Sequence, residues 1–144
     1  MRLLKVNQPW ASMIAHGDKE IEVRSRNTNI REKIAIYATK TPPSSKDMEY
    51  VRNFFERDLQ KKVPDYLMNL PTGRILATAT LRKSVPFTPK MWKEERLWHM
   101  APEVFFEEGH TFGWYLEDVV KLDSPRVCNL KKGTVVWDRT ELQL

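Results

Sequence analysis

Alternation of apolar with polar side chains, the two-residue period of a β-strand, is the feature that most constrains how this chain can fold. The period recurs in six segments, which are residues 2–7, 20–26, 33–39, 74–85, 111–122 and 133–138. In the longest of them Ile75, Ala77 and Ala79 share one side, and such small residues allow another element to approach the strand closely. Six short strands in one chain predict a small, mostly antiparallel β-barrel, with a β-sandwich as the alternative.

Helical patterns separate some of these strands. Pro9 is expected at the first position of a short helix, where its missing N–H costs nothing. A longer amphipathic helix is predicted over about residues 46–61, with Ser44 or Ser45 as its N-cap. Residues 88–109 are aromatic and mixed in charge, and one or two short helices are expected there. The chain is therefore predicted to have an α+β fold in which helices flank the barrel.

The length of 144 residues suits a single domain spanning residues 1–144. The only cysteine, Cys128, excludes an internal disulfide, and none of the three histidines has a partner at metal-ligand spacing. The sequence carries no dinucleotide fingerprint, no signal-peptide pattern and no apolar run of membrane-spanning length. We therefore expect a cytoplasmic protein with no membrane association, no metal and no cofactor.

The most charged stretch is residues 16–33, HGDKEIEVRSRNTNIREK. Its strand places Glu22 and Arg24 on one face, and the turn at Gly17 allows Lys19 to reach over the same face. Grouped in a cleft, such side chains could bind phosphate, hold a base edge or transfer protons, because neighbouring charges shift each other's pKa values. The alternative, which the residues alone favour, is a solvated strand face with weak ion pairs.

Donor-rich side chains continue into the loop that follows this strand. Arg26, Asn27 and Arg31 suit phosphate and sugar oxygens, although a hydrophilic turn explains them equally well. The formal net charge of +5 is compatible with a polyanionic partner.

The five tryptophans have two possible uses. Trp114 and Trp137 lie at alternating strand positions and are predicted to pack in the core. Trp10, Trp92 and Trp98 are left open, because they could instead form a stacking platform for an unpaired base.

Four motifs occur along the chain in a recognisable order. The pattern G-x-K-x-x-E-x-R runs from Gly17 to Arg24 and follows Q-P-W-A at residues 8–11. Farther on come F-G-W-Y-L-E at residues 112–117 and G-x-x-x-W at residues 133–137. Together these motifs resemble those of the ASCH domains, which belong to the PUA-like superfamily, and the resemblance covers most of the chain.

The resemblance implies a small PUA-like β-barrel whose charged cleft binds nucleic acid, RNA in the first place, by accepting a single-stranded or extruded nucleotide. A nucleotide-like ligand is also possible, and the oligomeric state is left open. Lys19 and Arg24 would meet phosphate or a base carbonyl, and Glu22 would accept a base or sugar donor. The residues expected to bind are Gln8, Trp10, Lys19, Glu22, Arg24, Arg26, Asn27 and Arg31.

An enzymatic reading of the same cleft is the alternative. One branch of the family looks like amidohydrolases acting on acylated cytidine, and other relatives are suspected ribonucleases. Lys19 and Glu22 would then be the catalytic residues. Glu22 stands where the amidohydrolases have a threonine nucleophile, which favours binding over catalysis. Whether the protein is an enzyme is therefore left open.

Overall fold

The computed structural model describes residues 1–130 and 136–144, and six strands within them form one sheet. The strands are β1 (Arg2–Val6), β2 (Ile21–Arg24), β3 (Lys33–Ala38), β4 (Arg74–Pro86), β5 (Phe112–Val127) and β6 (Trp137–Arg139). Their order in the sheet is β2-β5-β4-β3-β1-β6. The pair β1 and β3 is parallel, and the other pairs are antiparallel. The predicted α+β class and mostly antiparallel pairing are confirmed.

The sheet is curled into a half-barrel. Register shifts at three points between β4 and β5 contribute to this shape, because bulges bend a strand and increase its twist. The curl brings β5 close to β6 at the far end of the sheet, where Trp114 stacks on Trp137 with ring centroids 5.7 Å apart. One end of the sheet, with β2 and β5, therefore faces the other end, with β1 and β6, and we call the space between β2 and β1 the seam.

Helix α1 (Trp10–Ala15) fills the concave side of the sheet. All six of its residues are buried, and only Ser12 among them is polar, so the helix is enclosed on every side and has no solvent-facing polar face. The expected position of Pro9 was wrong by one residue, since Pro9 is the N-cap and the helix begins at Trp10. Burial against the curled sheet explains why so short a helix is stable, because isolated helices of this length are not.

Helix α2 (Ser45–Asn53) begins as predicted, with the Ser44 hydroxyl accepting the Asp47 N–H at 3.0 Å. The predicted helix over 46–61 does not stay α-helical, because a π-helical turn follows over Phe54–Asp58. That turn changes which side chains face inward, so Phe54 is buried together with Phe55.

Residues 88–109 contain two short helices, as the sequence predicted. They are α3 (Pro89–Glu94) and α4 (Arg96–His99), and a 3₁₀ turn over Glu103–Phe105 follows. Trp92 of α3 is buried beside Ile21 and Phe87 in a small core of its own.

Two further expectations concern the chain as a whole. In the described residues no helix combines the length and the apolar composition that a bilayer crossing requires. The predicted last strand, 133–138, lies partly outside the described residues, and the strand that the structure gives there is β6.

Candidate functional site

A cleft of about 830 Å³ opens in the seam. A cavity of that size is in the range of small-molecule and cofactor sites. Its lining comes from β1, α1, β2, the end of β3, the start of α2 and the 3₁₀ turn. The lining residues are Lys5, Asn7, Gln8, Trp10, Lys19, Glu22, Val23, Arg24, Tyr37, Thr39, Lys40, Thr41, Pro42, Ser44, Asp47, Phe105, Leu130 and Val136.

Lys19, Glu22 and Arg24 lie together at the buried end of this cleft, and we call them the charged cluster. Glu22 is the centre, because one carboxylate oxygen faces Lys19 and the other faces Arg24. Lys19 Nζ is 3.8 Å from Glu22 Oε1, and Arg24 Nη2 is 2.9 Å from Glu22 Oε2. The sequence expectation that these three side chains share one face is therefore met by the geometry.

Lys19 is the most deeply buried member, with 1% of its side chain exposed. It reaches the cleft from the turn at Gly17, whose φ of 84° is left-handed. Its ammonium donates to the carbonyl oxygen of His99 and lies 5.5 Å from the centre of the Trp10 ring. The pKa of Lys19 is lowered to about 8, chiefly by burial, with Glu22 opposing the shift and Arg24 adding to it.

Arg24 links the two sides of the seam. Its Nε and Nη2 donate to Glu22 Oε2 at 3.1 and 2.9 Å, and Nη2 also donates to the Lys5 carbonyl oxygen on β1 at 2.6 Å. The guanidinium is also 5.7 Å from the centre of the Trp114 ring. Because these partners hold the planar guanidinium on one side, Arg24 is fixed in place before any ligand arrives.

Gln8 and Trp10 line the cleft in different ways. The Gln8 amide donates to Ser12 Oγ and to the Pro71 carbonyl, both at 2.7 Å, and its oxygen accepts the Ser12 N–H. Its polar atoms therefore hold α1 in place, and a role in ligand contact stays a prediction. Trp10 is 6% exposed and packs edge-on against Phe105, with ring centroids 5.6 Å apart.

The loop residues predicted to bind backbone lie outside the cleft lining. Arg26, Asn27 and Arg31 are all exposed. The Arg31 guanidinium donates to the carbonyls of Thr28 and Ile30 in its own loop, at 2.8 Å each. Their positions do not favour direct contact with a ligand inside the cleft. An extended nucleic-acid strand that leaves the cleft could still reach them.

Several cleft residues were missed by the sequence reasoning. Lys5, Lys40 and Asp47 supply charge at the cleft, and Phe105 supplies an aromatic wall that is 39% exposed. Parallel pairing of β1 with β3 brings the ends of both strands to the same edge of the sheet, so Lys40 joins the cleft. No local pattern indicates that these two strands pair in parallel, whereas the ordered motifs did indicate the charged cluster.

Among residues 1–130 and 136–144, no three His, Cys, Asp or Glu side chains come together as a metal site would require. His99 is buried, and its contacts fit a neutral imidazole ring. Nδ1 accepts the Ala101 N–H at 2.9 Å, and Nε2 lies 2.8 Å from the Trp92 carbonyl oxygen. Burial lowers its pKa to about 4.

A curled six-stranded half-barrel with flanking helices and a charged cleft in its open side defines a small α+β domain of the PUA-like class. More specifically, the model of the ASCH domain matches residues 4–126, and the chain belongs to that family.

Individual relatives agree with this assignment. Activating signal cointegrator 1 from Homo sapiens is 32% identical over 92 residues, which are 64% of this chain. The chain spans only 15% of the length of that human protein.

Solved structures show the same fold. The crystal structure of ASCH from Zymomonas mobilis superposes with a TM-score of 0.59 at 17% identity, covering 88% of this chain and 72% of that one. A tyrosine-to-phenylalanine mutant of the same protein gives 0.59 at 16% identity, with 88% and 74% covered. At these identities the likeness is one of fold.

Proposed function

We propose that this protein binds RNA by accepting a single-stranded or extruded nucleotide into the cleft of the seam. The observation that supports this most is the buried charged cluster at the end of an 830 Å³ cleft that also has an aromatic wall. Burying two cations and one carboxylate is costly, so a fold that keeps them in a cleft has a use for their charge. The ASCH membership is consistent with a nucleic-acid partner.

The lining suggests a division of roles along the cleft. At the buried end, Lys19 and Arg24 would meet the nucleotide, and Phe105 would stack on its base. Nearer the surface, the exposed Lys40 would meet a phosphate of a neighbouring nucleotide. Lys5, which is largely buried and lies 3.7 Å from Asp138, would add positive charge inside the cleft. Arg26 and Arg31 would steady backbone that continues past the cleft.

Titration of a short, fluorescently labelled single-stranded RNA tests the proposal. We expect affinity to fall as salt concentration rises, because cations are released when phosphates are neutralised. Arg24→Ala should weaken binding by roughly tenfold or more, since a buried hydrogen-bonded charge is worth about 1.5–3 kcal/mol.

The matched control is Arg57→Ala, which removes the same charge from an exposed position on the π-helical turn, away from the cleft lining. Its affinity should stay within about twofold of the parent. Equal losses in both variants, or binding that ignores salt and Arg24→Ala alike, would contradict the proposed site.

Hydrolysis of a modified nucleoside or of RNA is the second candidate function. One observation favours it: burial brings the pKa of Lys19 to about 8, so part of the population carries a neutral amine near neutral pH beside the Glu22 carboxylate. In that case Lys19 would take a proton from the attacking group, and Arg24 would stabilise negative charge in the transition state.

Turnover separates the two candidates. Purified protein would be incubated with N4-acetylcytidine and with end-labelled RNA, in parallel with Lys19→Ala. Product formed by the parent and lost in the variant supports an enzyme. If the parent at high concentration forms no product from either substrate while it still binds RNA, the binding function stands alone.

A further inference from the structure

The Glu22 carboxylate is already used by the protein. Oε2 accepts two hydrogen bonds from the Arg24 guanidinium, at 3.1 and 2.9 Å. Oε1 accepts the Val23 N–H at 3.3 Å and faces the Lys19 ammonium at 3.8 Å. A carboxylate has about four acceptor positions. Three of those on Glu22 accept N–H groups, and the fourth faces the Lys19 ammonium at ion-pair distance. Glu22 therefore has little left to offer a base or sugar donor, so we propose a different role for it from the one expected from the sequence.

Lys19 and Arg24, the two cations of the charged cluster, have N–H donors that are not all used in hydrogen bonds within the described residues. A lysine ammonium has three N–H bonds, and Lys19 directs them toward the His99 carbonyl and Glu22. An arginine guanidinium has five, and the three bonds of Arg24 come from Nε and Nη2. Within the described residues, the charged cluster thus presents a ligand with spare N–H donors and positive charge, whereas its one carboxylate is already engaged by Arg24, Val23 and Lys19.

From this asymmetry we propose that the charged cluster selects a base with two acceptors on one edge and no donor beside them, the O6 and N7 edge of guanine. This inference rests on the proposed RNA-binding function and names the base that the cleft takes. Adenine has the same size and stacks equally well, but it places an N6 amino donor where guanine has O6. That donor would face Lys19 and Arg24 without an acceptor, and an unpaired buried donor is penalised.

The same donors could instead hold a phosphate, so the ligands must separate base from backbone. Three seven-nucleotide RNAs serve this purpose: UUUGUUU, UUUAUUU, and UUUGUUU with 7-deazaguanine at the centre. Their phosphates are identical, so any difference in affinity comes from the central base. Each would be titrated at pH 7 and fixed salt, since nucleic-acid affinities are comparable only at one ionic strength.

We expect the guanine RNA to bind roughly tenfold more tightly than the adenine RNA, and the 7-deaza RNA to lose most of that advantage. Arg24→Lys keeps the charge but loses the planar fork, so it should reduce the guanine-to-adenine ratio. Lys40→Ala, at the exposed mouth of the cleft, should weaken both RNAs and leave the ratio unchanged.

Equal affinity for the guanine and adenine RNAs would overturn the base selection while leaving RNA binding intact. Tighter binding of adenine, or a 7-deaza RNA as tight as the guanine RNA, would overturn it too. If none of the three RNAs binds, the proposed function fails and this inference fails with it. The ligand comparison needs no variant, so a variant that does not fold leaves the test complete.

Discussion

At the scale of single residues, the charge on Lys19 decides when the cleft can bind an anion or an acceptor edge. Because burial lowers its pKa to about 8, Lys19 is mostly protonated at pH 7 and mostly neutral at pH 9. We expect RNA affinity to fall by roughly tenfold as pH rises through this window, since a charged donor becomes a neutral amine. Fluorescence titrations at pH 7, 8 and 9 measure it.

The control for this prediction is Lys19→Gln, which has nothing to titrate at that position and should bind with nearly the same affinity at all three pH values. A parent protein whose affinity stays constant from pH 7 to 9 would contradict the assignment. So would a pH-dependent step of equal size in both proteins.

His99 ties stability to pH on the acid side. Its ring is fully buried and neutral, and burial lowers its pKa from 6.5 to about 4. The unfolded chain binds the proton near pH 6.5, whereas the folded protein binds it only near pH 4. The stability that the neutral His99 contributes is therefore complete above pH 6.5 and is lost as pH falls toward 4. Over that range the parent should lose about 3 kcal/mol of unfolding free energy from this residue alone.

Urea unfolding at pH 7 and pH 4.5 tests this, with His99→Gln compared to the parent. The variant should be less sensitive to acid by about 2–3 kcal/mol. His110→Gln, at an exposed position, should keep the acid sensitivity of the parent. If His99→Gln and His110→Gln lose the same amount of stability on acidification, the buried histidine is not the cause.

The part of the site that could be predicted from the sequence consists of residues that lie close together along the chain. Lys19, Glu22 and Arg24 fall within six positions of one another, so a turn and a strand suffice to bring them together. Lys5 and Lys40 join the cleft only through the pairing of distant strands, and Phe105 only through a turn 81 residues beyond Arg24. The periodicity of apolar and polar residues within one segment does not predict such long-range contacts.

At the scale of elements, β5 shows how a small residue fixes packing. Gly113 pairs with Val23 of β2 and with Val85 of β4, and the Phe87 ring lies over it. A Cβ atom at position 113 would come within 2.3 Å of Phe87 Cζ. Alanine normally favours a strand more than glycine does, so the intrinsic effect and the steric effect have opposite signs here.

We expect the steric effect to dominate, with Gly113→Ala lowering the free energy of unfolding by about 2–3 kcal/mol. Phe87→Leu alone should cost about 1–2 kcal/mol, and the double variant should cost less than the two together because the smaller side chain leaves room for the methyl group. Denaturant unfolding of all three proteins gives the coupling. If the two losses of unfolding free energy simply add in the double variant, or if Gly113→Ala stabilises the protein, the steric contact between position 113 and Phe87 is contradicted.

Element boundaries were predictable where hydrogen bonding is local and less so where packing intervenes. The Ser44 cap and the strand β3 follow from their own residues. The π-helical turn after α2 does not, because the aromatic pair Phe54 and Phe55 is buried by the shape of the surrounding core. Likewise, the complete burial of α1 comes from the sheet curling around it and not from its sequence.

At the scale of the whole molecule, the two ends of the described chain meet. The Met1 ammonium donates to the Thr140 carbonyl at 3.1 Å, and the Thr140 N–H donates to the Met1 carbonyl at 3.0 Å. Strand β6 pairs with β1, and Trp137 at its start stacks on Trp114 of β5. Since the family match ends at residue 126, this closure is contributed by chain beyond the matched region.

Because these contacts join the first strand to the last, we propose that residues 1–144 unfold as one cooperative unit, and Trp137→Ala tests it. Losing a partly buried aromatic side chain and its stack should lower the unfolding free energy by about 2–3 kcal/mol. Far-ultraviolet circular dichroism and tryptophan fluorescence should still report one coincident transition, shifted to lower denaturant. Trp98→Ala, which removes a half-exposed tryptophan from α4, should shift the midpoint much less. Two separate transitions, or equal shifts in both variants, would mean that β6 does not complete the folding unit.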